Sequence, residues 1–263
     1  MTETEVAVTE KETTRPKFAA DPGWNGLYNA GAIILVVFSV VGFFLFFMSL
    51  RITSWAMATP TDPAAQLQLV AQHLQFYTAD ASLWLVDDLV TIIPVLAVYL
   101  VLRQVSRAGA LAGAVFSLAY AVFDVCVTEM DSLTLNELAY HYGTATTSAL
   151  QNTYVTAAVY ELSAIPVHTV LTFGIGAVGY LIYSVVMWKS LFGKVTATVG
   201  IVANVVGILG SAAPVAPASG AFVVLGLLEL VTVPLTAVWT LIVGIKLYRF
   251  SRRNRAASLV QDH

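Results

Sequence analysis

The chain has 263 residues, a net charge of −3, and a composition that is 58% hydrophobic and only 11% charged. Soluble domains carry about 25% charged residues, so this composition excludes both an ordinary globular protein and a disordered one. A single cysteine, Cys126, excludes an intramolecular disulfide. Most of the chain must therefore lie in an apolar environment.

Six apolar segments are each long enough to cross a bilayer, which takes about 20 residues. We expect them at residues 30–50, 82–102, 109–127, 154–188, 195–212 and 221–245. The predicted fold is all-α, a polytopic membrane bundle of six transmembrane helices. Residues 1–28 form a polar tail, residues 29–247 the six-span membrane domain, and residues 248–263 a basic tail.

Two polar connections, 51–81 and 129–153, are expected as outer loops. In the first, Leu67, Val70, Leu74 and Tyr77 recur at helical spacing, which predicts a short amphipathic helix at the membrane surface. The fourth apolar stretch would be about 50 Å long as a helix, against a hydrocarbon core of about 30 Å. We therefore expect it to bend or break near Pro166, or to project from the membrane.

The basic residues predict the orientation of the bundle. With the N-terminus in the cytoplasm, twelve of the thirteen Lys and Arg residues fall on the cytoplasmic side, and Arg51 alone lies outside. Because cytoplasmic loops carry the excess of Lys and Arg, both termini are expected inside. This pattern predicts a multi-pass protein of a bacterial plasma membrane.

Several stretches carry a resemblance to a known family: LAVYLVLRQVSRAGALAGAVF, GIGAVGYLIYSVVMWKSLFGK and LELVTVPLTAVWTLIVG. They lie within blocks 85–118, 167–210 and 228–245. In order and spacing, these blocks resemble a family of six-helix bacterial integral membrane proteins of unknown function. The resemblance implies the six-helix architecture and nothing catalytic. It does not extend to the polar N-terminal tail or to residues 129–153.

Ionisable residues inside the spans or at their edges are the candidate functional groups: Asp87, Asp88, Asp124, Glu161, His168 and Glu229. All fall in the outer half of the predicted bundle, with no Lys or Arg among them. One interpretation is structural, because an acid near a helix N-terminus is stabilised by about 0.3–1 kcal/mol. Asp124 does not fit that interpretation, since it lies near the C-terminal end of its span.

The other interpretation is a single site. Glu161 and His168 are seven residues apart and share a helix face. With Asp87 or Asp88 and with Asp124, they would line an outward-facing acidic cavity for a proton, a cation or a cationic substrate. Carboxylates that crowd together in such a cavity suit proton exchange.

A metal site at Glu161, His168 and Asp124 is a weaker interpretation. Zinc sites take three or four close ligands, often with paired histidines, and the histidine spacings here do not match that pattern. The sequence contains no recognisable catalytic motif, so no catalytic residue is assigned and no cofactor is expected.

Three classes of function stay open. The first is a small transporter or a cation- or proton-binding protein. The second is a non-catalytic subunit or scaffold of a larger membrane complex. The third and least favoured is an intramembrane metal-dependent enzyme acting on lipid. The lipid bilayer is the expected environment, with a homo-oligomer or a partner membrane subunit both open. No nucleic acid is expected, because the basic tail already follows from the orientation rule.

Overall fold

A computed structural model of the protein describes residues 22–52, 62–215 and 220–261. Over these ranges the fold is all-α, with no strand. Six helical segments are long and apolar enough to cross a membrane, which confirms the predicted fold class. The N-terminal tail up to residue 21 and residues 53–61 of the first connection lie outside the described residues.

The described ranges contain eight α-helices. They are α1 (Asn25–Ile52), α2 (Pro63–Gln72), α3 (Leu74–Leu102), α4 (Arg107–Phe123), α5 (Glu129–Thr144), α6 (Ser148–Met187), α7 (Gly193–Gly210) and α8 (Gly220–Gln261) within the described ranges. A π-helical turn, Asp124–Thr128, joins α4 to α5, so these two helices act as one membrane-spanning segment.

Side-chain caps begin three of the helices. Ahead of α2, the Asp62 carboxylate accepts a hydrogen bond from the Ala65 N–H at 3.1 Å. Ahead of α4, the Ser106 hydroxyl accepts one from the Gly109 N–H at 3.2 Å. Ahead of α6, the Thr147 hydroxyl accepts one from the Leu150 N–H at 3.3 Å. Such caps satisfy backbone N–H groups that the first helical turn leaves without partners.

The structure corrects the expected loop over residues 129–153. α5 ends at Thr144 and α6 begins at Ser148, so only residues 145–147 connect the two helices. The segment is polar but still amphipathic, since Leu135 and Ala139 lie one turn apart and are buried.

The predicted amphipathic helix is present as α2, although Leu74 and Tyr77 belong to α3. Its apolar residues Leu67 and Val70 are buried against α5 and α6. The apolar face of α2 is therefore covered by protein. Together, α2 and α5 form a small second core at one end of the bundle.

The long fourth span is one continuous helix. α6 has 40 residues and holds Pro166 in its interior. Of the expected alternatives, a break at Pro166 is not seen. A helix of this length measures about 60 Å, so it must extend beyond a hydrocarbon core of about 30 Å. α8 is also longer than its predicted span, since its 42 residues carry the basic tail as helix to Gln261.

The six spans form a closed ring. Each span packs against its neighbours in the order α1, α3, α4, α6, α7, α8, and α8 packs back on α1. One end of the ring is filled by apolar side chains, which include Val101, Leu102, Tyr183, Met187 and Leu247. We call this packed end the apolar plug. A cavity lined by all six spans lies beyond it.

Glycines allow α4 and α6 to pack closely. A Cβ at Gly179 would lie 2.8 Å from the Ser117 backbone nitrogen, and one at Gly113 would lie 2.5 Å from Tyr183 Cδ1. These distances are too short for a side chain of any size. The small-residue pattern of the two spans therefore serves contacts within the bundle.

The outer surface of the ring is apolar. Large hydrophobic side chains such as Phe44, Leu89, Val122 and Val195 are exposed on it. Exposed apolar surface on this scale is costly in water and favourable in lipid. The surface thus agrees with the length and composition of the spans.

We expect Thr146 to face the outside and the C-terminal end of α8 to face the cytoplasm. Each site is replaced by cysteine, as Thr146→Cys or Ala256→Cys, in a Cys126→Ser background. Both positions are exposed, whereas Ser251 is 2% exposed and unsuitable. An impermeant maleimide should label the cysteine at 146 in intact cells and the cysteine at 256 only after permeabilisation. Labelling at 256 in intact cells would reverse the orientation.

We expect Gly179→Ala to destabilise the bundle by about 1–3 kcal/mol, because the added methyl overlaps a backbone atom of α4. Gly174→Ala on the same helix is the matched control, since its Cβ would lie 3.8 Å from Ser211 Oγ, an ordinary contact. The helix-propensity gain is the same in both variants. Thermal unfolding in detergent should show a lower midpoint for Gly179→Ala only. Equal midpoints would contradict close α4–α6 packing.

Candidate functional site

A π-helical turn positions two of the acids. In the turn Asp124–Thr128, the Glu129 backbone N–H donates to the carbonyl oxygen of Asp124, five residues earlier. In an α-helix, residues five apart point about 140° away from each other around the axis. The wider turn brings Glu129 back over Asp124. Single π-turns within α-helices are frequent at functional sites.

Asp88 of α3 completes a group with these two residues. One carboxylate oxygen from each of Asp88, Asp124 and Glu129 lies within 4.8 Å of the others. The three residues are 3%, 4% and 6% exposed, respectively. We call this group the carboxylate triad. It links α3 to the junction of α4 and α5.

Each member of the triad keeps an oxygen without a partner. Asp88 Oδ2, Asp124 Oδ1 and Glu129 Oε2 are buried and accept no hydrogen bond. No Lys or Arg in the described ranges forms a salt bridge with them. The hydroxyls of Tyr120 and Thr128 and the carboxyl of Asp88 lie within hydrogen-bonding reach of Asp124, whose Oδ1 still has no partner. The triad therefore offers oxygen ligands that the protein itself does not satisfy.

Burial and crowding prevent the triad from holding three negative charges. A buried carboxylate is costly unless it is paired, and like charges in contact add to that cost. Proteins that place two carboxylates in contact share a proton between them. Oxygen donors are also the ligands that Mg²⁺, Ca²⁺ and Mn²⁺ prefer. The arrangement can thus hold protons or a divalent cation.

A second polar group forms at the α5–α6 contact. His168 Nδ1 lies 2.6 Å from Asp131 Oδ2, and Glu161 lies beside the same aspartate. The side chains of His168 and Asp131 are 33% and 14% exposed, respectively, so this group is less buried than the triad. The Asp131 carboxylate therefore has an imidazole as its hydrogen-bonding partner, whereas the triad has no basic side chain beside it.

The structure therefore divides the single site expected from the sequence. Asp88 and Asp124 belong to the triad, whereas Glu161 and His168 belong with Asp131. Glu129 and Asp131 are only two residues apart on α5, so their side chains leave the helix on different faces. The expectation that all these acids converge at one point does not match this division.

The remaining candidates have separate positions. Asp87, next to Asp88 on α3, lines the central cavity. Glu229 lies in α8, but its side chain is outside the described residues. The expected metal ligands Glu161, His168 and Asp124 do not form one group. Within the described chain, the triad is the group of three whose ligand atoms are close enough to share an ion.

Sequence reasoning missed the roles of Glu129 and Asp131, because both were assigned to an outer connection. A signal for Glu129 was present, since it follows Asp124 by five residues. Within a helix, residues five apart lie together when a π-helical turn stands between them. For Asp131, no local pattern indicates His168 as a partner, because the contact depends on how α5 packs against α6.

Comparison of the chain with protein-family models, with curated proteins and with solved structures finds no match. The resemblance to six-helix bacterial membrane proteins consequently stays an expectation.

Proposed function

We propose that the protein is a small transporter of the bacterial plasma membrane that exchanges a proton or a divalent cation at the carboxylate triad. The observation that carries the proposal is the set of three buried, unpartnered carboxylate oxygens with no base beside them. Intramembrane acids are rare, and they mark ion pathways and proton relays in pumps and transporters.

The ring architecture supports transport more than a scaffolding role. The cavity lies between all six spans, and the apolar plug closes the ring at one end. Transporters place their substrate sites between helices, near the middle of the bilayer. With the basic residues on the cytoplasmic side, the plug lies inward and the cavity faces outward.

Adjacent residues connect the triad to the cavity. Asp88 belongs to the triad and Asp87 lines the cavity, so one turn of α3 carries both groups. A change of charge at Asp88 acts on Asp87 at short range in a medium of low dielectric constant. This adjacency gives a physical route by which cation exchange at the triad affects binding in the cavity.

The proposal is tested with purified protein and MnCl₂ in weakly buffered detergent solution. Mn²⁺ binding is followed by electron paramagnetic resonance, and proton release by an indicator dye. We expect Mn²⁺ to displace protons from the wild-type triad. The double variant Asp124→Asn/Glu129→Gln removes two ligands and should lose both signals, with affinity lowered by at least about tenfold.

Glu137→Gln is the matched control, because Glu137 lies on α5 with its side chain 70% exposed and outside the triad. Its Mn²⁺ binding and proton release should equal those of the wild type. Equal signals in the triad variant and in the wild type would contradict the proposal. So would the absence of both signals from a folded wild-type protein.

A further inference from the structure

We infer that the central cavity is a binding site for a small organic cation, with Asp87 as its counter-ion. This inference names a substrate class for the proposed transporter, and it rests on the proposed function in that respect. The cavity has a volume of about 280 Å³ and receives side chains from all six spans. Small-molecule sites start at about 300 Å³, so the expected ligand is small.

Asp87 is the charged residue of the cavity lining. It has no salt bridge within the described chain, and no Lys, Arg or His lines the space with it. A carboxylate in an apolar cavity attracts a cation strongly because the local dielectric constant is low. The net field of the cavity therefore favours a positive ligand and disfavours an anion.

Aromatic rings form part of the wall. Trp84, Tyr120, Phe173 and Tyr180 line the cavity, and the Tyr120 ring centroid lies 6.2 Å from that of Tyr180 and 6.4 Å from that of Phe173. The face of an aromatic ring attracts cations and gives apolar contact at the same time. Quaternary ammonium groups are commonly held in this way.

The polar groups of the wall present acceptors. Thr232 Oγ1 donates to the Leu228 carbonyl at 2.8 Å, and Thr240 Oγ1 to the Thr236 carbonyl at 2.9 Å. Asn204 Nδ2 donates to the Gly200 carbonyl at 2.7 Å. The two hydroxyl hydrogens and one of the two Asn204 N–H groups are used by the helix backbones, and the side-chain oxygens keep lone pairs for a ligand. A lining of acceptors and one carboxylate suits a cation.

The test measures binding to the full-length protein in nanodiscs by calorimetry, with empty nanodiscs subtracted. The probe is phenyltrimethylammonium, and its uncharged carbon isostere tert-butylbenzene is the matched ligand control. We expect the cation to bind and the isostere to bind much more weakly. Asp87→Asn should weaken cation binding by about thirtyfold or more.

Phe173→Leu should weaken binding of the cation by about threefold and leave binding of the isostere nearly unchanged, because it removes a cation–π contact. Glu137→Gln should bind as the wild type does, and thermal unfolding checks that each variant is folded. The inference is overturned if tert-butylbenzene binds as tightly as the cation. It is also overturned if folded Asp87→Asn keeps full affinity or the folded wild type binds no cation.

The two proposals can fail separately. If phenyltrimethylammonium binds through Asp87 but Mn²⁺ and proton signals do not depend on the triad, the triad assignment fails and the cavity assignment stands. If the triad exchanges protons for Mn²⁺ but the cavity binds no phenyltrimethylammonium, the substrate class is wrong and the triad assignment stands.

Discussion

Three buried carboxylates with oxygens within 4.8 Å of one another, and with no salt bridge in the described ranges, are the main electrostatic constraint on this bundle. Asp88, Asp124 and Glu129 are buried, and one oxygen of each has no hydrogen-bond partner. In a low-dielectric environment such a group is compatible with folding only when its charge is compensated. We therefore propose that protons or a cation belong to the folded state, and that their exchange changes the energy of the helices that carry the triad.

The helices that carry the triad also build the cavity. α3 supplies both Asp88 and Asp87, and the π-helical turn between α4 and α5 aligns Glu129 with Asp124. α3 and α4 are neighbours in the closed ring, so the triad and the cavity wall share two adjacent helices. The close glycine contacts between α4 and α6 restrict how far these helices can separate.

Much of the architecture could be predicted from the sequence. The six spans follow from segment length and hydropathy, and α2 follows from the spacing of Leu67 and Val70. The early start of α3, the helix α5 and the C-terminal extension of α8 were missed, because polar residues form helix outside the apolar runs. The end of an apolar run is therefore a poor guide to the end of a helix.

The site was predicted less completely. Intramembrane position and the lack of a basic partner selected Asp88 and Asp124 as candidates, and the structure places their carboxylates near that of Glu129. The sequence could not show that Glu129 joins them, because the spacing of five depends on a rare π-helical turn. It also could not separate Glu161 and His168 from the triad, since their partner Asp131 is set by the packing of α5 on α6.

The central claim is that exchangeable protons or a cation compensate the charge of the triad. Infrared spectroscopy of the chelator-treated protein in lipid at neutral pH tests it most directly. We predict a C=O band of protonated carboxyl groups that Mn²⁺ removes and that the combined variant Asp88→Asn/Asp124→Asn/Glu129→Gln lacks. A spectrum in which the wild type, without any bound metal, shows no protonated carboxyl group would contradict the account.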